Sequence, residues 1–191
     1  FLVPAQLPPM MEISRNLGSV RHAERQGTFQ PLVSAERGDV ELATSWQSLL
    51  NGSQPIILAP GSEQRLIIDL EDYYCAFPEL VTSGGKGAVI TLGYAESLFE
   101  NSTDRRMPKG NRAEVHNKLF IGPRDRYLLV GGEKRAYDTL WWRCGRYVEL
   151  TVTVADEPLT IERLAWRETR YPLENVAQFT SSDPRLEAAI P

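Results

Sequence analysis

A run of alternating residues over positions 146–154 constrains the fold more than any other stretch of the sequence. Arg146, Val148 and Leu150 begin one side of this run, and Tyr147 and Glu149 begin the other. This period of two is typical of a β-strand that buries one face. The segment Asp-Glu-Pro at 156–158 then interrupts it, because proline cannot donate a hydrogen bond to a strand ladder. A second alternating run, 159–164, predicts the other arm of a hairpin.

Strand-length segments separated by turn residues recur along the rest of the chain. Strands are predicted at residues 56–59, 65–70, 76–82, 88–97, 114–121 and 127–130, with turns at 51–52, 60–61 and 84–87. Residues 42–50 are compatible with a short strand or a helix, and residues 101–111 with an exposed loop. Since no sustained helical pattern and no repeat is present, the sequence predicts an all-β fold, an antiparallel β-sandwich of the jelly-roll or lectin-like kind.

The C-terminal end has a different character. Ser182 or Asp183 is suited to cap a helix, and Pro184 is favoured in a first helical turn. A chain of 191 residues is long enough for one substantial core. We therefore predict one β-sandwich domain over residues 1–178, followed by a short helical linker over residues 179–191.

Charge and composition exclude several classes of function. The formal net charge is −4, and the basic residues are dispersed among acids, so we expect no nucleic-acid partner. No apolar stretch is long enough to predict a membrane span. The two cysteines, Cys75 and Cys144, lack metal-ligand spacing. Two buried free thiols are favoured, and a disulfide between them is the alternative. His22 and His116 are too isolated in sequence to predict a zinc site.

Large aromatic residues and an arginine precede and enter the alternating run. Trp141, Trp142, Arg143 and Tyr147 are candidates for a sugar-binding platform, since aromatic faces stack on pyranose rings and arginines bind hydroxyl groups. Aromatic and arginine side chains are also common anchors of interfaces. Because neighbouring residues of a strand point to opposite faces, we expect only one tryptophan to face a ligand and the other to lie in the core. Docking on another domain is the favoured interpretation.

A second group of candidates lies in the segment KGNRAEVHNK and just beyond it. Asn111, Arg112, Glu114 and Asp125 offer the donors and acceptors that bind a polyol. Arg112 and Glu114 share one face if the segment is extended, so we expect them to pair with each other. Sugar binding, or a place at the edge of a catalytic cleft, is the alternative.

Three acids, Asp69, Glu71 and Asp72, follow a predicted strand. Carboxylates are calcium ligands, but the spacing of a known calcium loop is absent, so a solvated turn is favoured and no other cofactor is expected. No serine lies in a GxSxG elbow, and the paired acids at 156–157 are explained by a turn. Independent catalysis by this chain is therefore not predicted.

Five segments in series carry a resemblance to a known family. In order they are LVPAQLPPM, GGKGAVITLGYAESLFE, KGNRAEVHNKLFIGPRD, LWWRCGRYVELTVTVADEPLTIERL and RYPLE. Together they resemble the β-sandwich region that precedes the catalytic (α/α)6 barrel of bacterial α-L-rhamnosidases. The resemblance covers nearly the whole chain.

The resemblance implies a parent enzyme that removes α-L-rhamnose from plant glycans with inversion, in the periplasm or outside the cell. Inversion requires two carboxyl groups about 6.5 to 9.5 Å apart. In this family they lie on the barrel, so no catalytic residue carries over to this chain. The implied role is a non-catalytic domain that supports the barrel, with residues 179–191 leading towards it. The alternative is a carbohydrate-binding module that itself binds rhamnose-containing glycans.

Overall fold

A computed structural model describes residues 3, 4, 6–25, 31–36, 38–174, 176 and 178–187. Most of the described residues in regular structure belong to strands. In chain order the elements are β1 Met11–Arg15, β2 Ser19–Glu24, α1 Val40–Leu50, β3 Ile56–Leu58, β4 Glu63–Gly84, β5 Val89–Ala95, β6 Phe99–Glu100, β7 Lys118–Leu119, β8 Arg124–Leu128, β9 Arg135–Tyr137, β10 Arg143–Thr153, β11 Leu159–Arg170 and α2 Pro184–Glu187.

One long strand, β4, organises the main sheet, whose order is β1-β11-β4-β10-β5-β8. The first half of β4 pairs with β10 and β2, and the second half pairs with β11 and β9. All of these pairings are antiparallel. The predicted all-β, antiparallel class is thus confirmed, although a single curled sheet supplies both halves of the sandwich.

The chain connection between β10 and β11 shows how strongly β4 bends. Thr153 pairs with Glu63 at the start of β4, and Leu159 pairs with Gly84 at its end. A straight strand of 22 residues would be about 70 Å long, yet the six residue steps from Thr153 to Leu159 span at most about 21 Å. The two ends of β4 must therefore curl towards each other, and the sheet encloses its own core.

The predicted hairpin between the two alternating runs is wrong. Both runs form strands, but β10 and β11 pair with different halves of β4, which lies between them in the sheet. A short connection normally joins hydrogen-bonded neighbours. Here it crosses between the two halves of the curled sheet, which the local sequence does not reveal.

The main core lies between the sheet halves and beneath α1. Val148, Leu150 and Val152 of β10 are fully buried in it, as the alternation predicts. Residues 42–50, which left strand and helix open, fold as α1. Trp46 of this helix is fully buried and donates its indole N–H to Gln64 Oε1 at 2.7 Å. Each such large side chain stabilises the fold by about 1.5–3 kcal/mol through burial alone.

Part of the other face of β10 is buried as well, so the prediction of a single buried face is wrong for residues 147–149, while Thr151 and Thr153 are partly or fully exposed. Tyr147 and Glu149 are fully buried. A second, smaller cluster covers this face, formed by Val33, Ile67, Ala95, Leu98, Val115, Phe120 and Tyr147. Several of its members come from the segment after β5, which folds across the sheet.

The remaining predictions differ in detail from the structure. The strands predicted at 65–70 and 76–82 are one strand, β4, and within 114–121 only Lys118–Leu119 is a strand. At the C-terminal end, α2 begins at Pro184, and Asp183 Oδ1 accepts the Arg185 N–H at 3.1 Å. Residues 188–190 of the predicted helix lie outside the described residues, and the domain boundary at residue 178 stays a prediction.

Within the described ranges, no helix has the length and apolar character that a bilayer crossing requires.

Candidate functional site

An irregularity shared by β4 and β10 creates a cleft on the face of the smaller cluster. Gly145 pairs with Tyr74 and Tyr147 pairs with Asp69, so four residues of β4 (70–73) stand opposite Arg146 alone. The four residues bulge out of the sheet. Glu71 has a φ of 71°, in the left-handed region that residues other than glycine rarely adopt. The bulge re-aims the side chains on both strands, as β-bulges commonly do.

The cleft has a volume of about 380 Å³ and is open to solvent. Its walls come from the β4 bulge, the residue after β5, the loop before β7 and the residue of β10 opposite the bulge. The lining residues are Glu71, Asp72, Tyr73, Glu96, Arg112 and Arg146.

A buried carboxylate, Asp69, anchors the floor of this cleft. Arg146 binds it with both Nε and Nη2, at 2.8 and 2.9 Å, and Arg21 Nη1 donates to it at 2.7 Å. The Glu71 backbone N–H also donates to Asp69 Oδ1, at 2.8 Å. Burial opposes ionisation of Asp69, but the hydrogen bonds from Arg146 and Glu71 outweigh it and lower the pKa of the carboxyl group. Asp69 is therefore ionised at neutral pH and fixes Arg146.

A surface ion-pair network forms the opposite wall. Glu96 accepts a hydrogen bond from Lys109 Nζ at 2.8 Å and another from Arg112. These bonds lower the pKa of Glu96. The Arg112 backbone is held by the Tyr147 hydroxyl group, which donates to its carbonyl oxygen at 2.8 Å. The exposed Arg112 side chain thus projects from an anchored backbone.

A buried lysine holds the loop that carries Arg112. Lys118 is almost fully buried, and its Nζ donates to the carbonyl oxygens of Lys109 and Asn111 at 2.7 and 2.5 Å. It also pairs with Glu100 at 3.0 Å. Because a buried ammonium group must keep all of these partners, the loop is fixed beside the sheet.

Tyr73 supplies the aromatic surface of the cleft, and its side chain is about half exposed. Burial of the phenol group and the nearby Cys144 thiol raise the pKa of Tyr73, so the ring is neutral at physiological pH. Around it stand three carboxylates and two guanidinium groups, whose charges nearly cancel. A ring face surrounded by paired donors and acceptors suits a neutral ligand rich in hydroxyl groups.

The expectation that one of the two tryptophans lies in the core is wrong. Trp141 and Trp142 lie in a loop before β10, with ring centroids 5.7 Å apart and planes at 34°. Trp141 is 63% exposed and Trp142 is half-buried, so neither lies in the core. Strand alternation does not apply to them because the loop is not extended. Leu140, beside them, is fully exposed.

The remaining candidates from the sequence are divided between the two faces of the sheet. Arg143 binds Asp125 with both Nε and Nη2, at 2.8 and 2.5 Å, and both residues stand in register with residues of the main core. Tyr147 lies on the opposite face with Arg112. Its ring is fully buried, so Tyr147 positions Arg112 and offers no platform to a ligand.

The expected pairing of Arg112 with Glu114 is wrong. Asn111 Nδ2 donates to Glu114 Oε1 at 3.0 Å, and Arg112 pairs with Glu96. The segment turns at this point, so alternate residues do not share a face.

Sequence reasoning missed Tyr73, Glu96 and Arg146 as site residues. Arg146 was expected beside Val148, but the bulge turns it towards Asp69 on the other face. The usable signal was the pair of acids at 71–72, which interrupts an otherwise strand-like segment.

The calcium alternative stays a prediction. Arg21 and Arg146 already pair with Asp69, the first of the three acids that could bind calcium. In the described part of the chain, no group of three or more histidine, cysteine or acidic residues is arranged to hold a metal ion.

Solved structures of other proteins resemble the fold of this chain. No protein family and no curated protein matches the sequence. A rhamnosidase from Klebsiella oxytoca with rhamnose bound is 15% identical, with 95% of this chain and 33% of that chain covered at a TM-score of 0.55. A GH78 family rhamnosidase of Bacillus sp. GL1 is 22% identical, with 74% and 14% covered at 0.48. A fucolectin from striped bass is 12% identical, with 80% and 47% covered at 0.36.

The chain spans only 14% and 33% of the two rhamnosidase chains that it resembles. The likeness to the Klebsiella enzyme covers nearly all of this chain and confirms, in the fold, the resemblance to rhamnosidases predicted from the sequence.

Proposed function

We propose that this chain is a non-catalytic β domain of a rhamnosidase-type glycoside hydrolase and that it packs against the catalytic barrel of the same protein. The five sequence segments and the fold shared with one third of the Klebsiella rhamnosidase support this proposal. Catalysis then belongs to the barrel, and this domain supports and orients it. A periplasmic or secreted location is part of the same proposal.

The observation that carries the proposal is the surface formed by Leu140, Trp141 and Trp142, which we name the tryptophan surface. Leu140 is fully exposed and Trp141 is 63% exposed, although transfer of such side chains out of water is favourable. Exposed aromatic residues beside a polar pair such as Arg143–Asp125 resemble the anchors and rim of a protein interface.

The test uses the catalytic barrel of the parent protein expressed as a separate chain. We expect the two chains to associate, and we expect Leu140→Ser with Trp141→Ser to weaken the affinity at least tenfold, as loss of an aromatic interface anchor commonly does. Surface plasmon resonance measures both affinities. Ile57→Ser is the matched control, since Ile57 is 73% exposed but lies on β3. Equal loss in both variants, or no association of the wild-type chains, contradicts the docking role.

A second function is supported by the cleft between Tyr73, Arg112 and Arg146. Its half-exposed ring and nearly balanced charge favour a neutral saccharide, so we also propose that it binds a rhamnose-containing glycan. This function is compatible with docking, because the Arg143–Asp125 pair beside the tryptophan surface lies on the other face of the sheet.

Calorimetric titration with L-rhamnose and rhamnosylated oligosaccharides, with and without calcium, tests sugar binding. We expect saturable heat at millimolar ligand that Tyr73→Ala abolishes and Trp141→Ala leaves unchanged. Loss in Trp141→Ala alone would move the sugar site to the tryptophan surface. Absence of heat in the folded wild-type chain would leave only the docking function.

A further inference from the structure

The two cysteines of the chain face each other across β4 and β10. Cys144 and Cys75 are register partners, and their Sγ atoms are 3.1 Å apart. Both thiols are free, as the sequence predicts, but they are half-buried and not buried. Their sequence separation of 69 residues concealed this contact.

The backbone around the two thiols suits a covalent bond. Residues directly opposite each other on antiparallel strands have Cα atoms about 4.5 or 5.5 Å apart, and disulfides join Cα atoms about 4.4–6.8 Å apart. A sulfur–sulfur bond of about 2.05 Å requires the sulfur atoms to approach by about 1 Å. The pairing becomes irregular just after Gly145, next to Cys144, where the β4 bulge gives the two strands room to adjust.

We propose that Cys75 and Cys144 are a disulfide-forming pair that closes when the chain meets a small-molecule disulfide such as oxidised glutathione. One cysteine thiolate attacks the oxidant, forms a mixed disulfide and expels one glutathione thiolate. The second cysteine thiolate then attacks the protein sulfur of the mixed disulfide and expels the other glutathione. The protein loses two protons and two electrons, and the oxidant becomes two glutathione thiols.

The surroundings of the pair affect how readily it reacts. Burial, the hydrogen bond with Cys144 and the charge of Cys144 raise the pKa of the Cys75 thiol to about 11. Because the thiolate is the attacking species, we expect bond closure to become faster as pH rises.

The disulfide would tie β4 to β10 beside the cleft. Cys75 follows the bulged residues 70–73 by two positions, so the bond would lie close in the chain to Tyr73. Closure clamps the strand that carries Tyr73. The oxidation state of the pair therefore sets the rigidity of the cleft wall.

The test uses the reduced full chain, equilibrated in buffers of increasing ratio of oxidised to reduced glutathione. We expect the intact mass to fall by two hydrogens and both thiols to become unreactive to maleimide, with dithiothreitol reversing both changes. We also expect the midpoint of thermal unfolding of the oxidised chain to rise by about 5–10 °C, as for a bond that closes a long loop.

Two outcomes would overturn the proposal. One is a folded chain that retains two maleimide-reactive thiols in fully oxidised buffer, and the other is a product that consists of glutathione adducts or disulfide-linked dimers. Cys75→Ser and Cys144→Ser serve as controls, in which the mass decrease and the rise in unfolding temperature must both be absent. The mass measurement on the wild-type chain remains decisive if either variant fails to fold.

Discussion

Asp69 illustrates how one residue holds an irregular part of the sheet in place. It is 2% exposed, and its carboxylate binds Arg146 of β10, Arg21 of β2 and the backbone of Glu71. Three segments therefore depend on one negative charge. Removing one member of a buried ion pair lowers stability by far more than the intact pair contributes to it. The reason is that the remaining charge is left without a partner of opposite sign.

The substitution Asp69→Asn tests this role. We expect the free energy of unfolding to fall by about 3–5 kcal/mol at pH 7, since Arg146 and Arg21 lose their shared anion. Urea unfolding followed by circular dichroism measures the change. Asp156→Asn, at an exposed turn position, is the control and is expected to change stability by less than about 0.5 kcal/mol.

The pH dependence of Asp69→Asn gives an independent check. The pKa of Asp69 is lowered in the folded chain, so its stabilising effect is fully present above the unfolded-state pKa of about 3.9 and is lost as pH falls through the lower folded-state pKa. The stability difference between wild type and variant should therefore shrink only below about pH 4. A difference that stays constant from pH 7 down to pH 2 contradicts the assigned ionisation.

At the same residue scale, local patterns could identify only part of the candidate site. Arg112 and Tyr147 were selected from the sequence, and the structure joins them by a hydrogen bond. Glu96 and Tyr73 were not selected, because their proximity to Arg112 depends on a bulge and a loop that bring distant segments together. Residue type signals chemistry, but such contacts are set by the tertiary fold.

At the scale of elements, β4 carries its most strained residue at its sharpest irregularity. Glu71 has a positive φ, which costs a residue with a Cβ atom about 1–2 kcal/mol. Its side chain accepts a hydrogen bond from Ser19 Oγ at 3.1 Å, so β2 also helps to hold this conformation. The strain is retained where the strand must leave the sheet.

Substitutions at Glu71 are predicted to separate strain from side-chain contacts. We expect Glu71→Val to lower the free energy of unfolding by about 1–2 kcal/mol more than Glu71→Gly, because a β-branched residue disfavours positive φ and glycine does not. Chemical denaturation of both variants measures the difference. Arg126→Val, at an exposed strand position in β8, is expected to be nearly neutral. Equal stability of the valine and glycine variants would show that the backbone at Glu71 is not strained.

The elements themselves were predictable where alternation is long, as in β10 and β11. Their partners were not, because the short connection at Pro158 indicates a hairpin equally well whether or not another strand lies between the two. The length of β4 was also hidden, since the acids at 71–72 look like a turn between two strands. In both cases a long-range pairing overrides the local signal.

At the scale of the whole molecule, β4 belongs to both halves of the sheet. If β4 leaves, β10 and β11 both lose their pairing with it, and the main core takes side chains from both halves. We therefore expect one cooperative unfolding transition for the sandwich.

Two probes of unfolding test this expectation. Far-UV circular dichroism follows the strands, and the fluorescence of Trp46 and Trp166, which are fully buried, follows the core. In a chain carrying Trp141→Phe and Trp142→Phe, both probes should give the same urea midpoint. Midpoints that differ beyond experimental error would mean that the halves unfold separately.

The order of synthesis exposes β4 before its two main partner strands exist. Translation completes β4 at Gly84, but β10 begins only at Arg143 and β11 only at Leu159. At a synthesis rate of about 5–20 residues per second, the nascent chain presents this apolar strand without its two main partners for several seconds. Unpaired strand edges are prone to aggregation. Efficient production in cells should therefore depend on chaperones that bind the emerging chain between those two points.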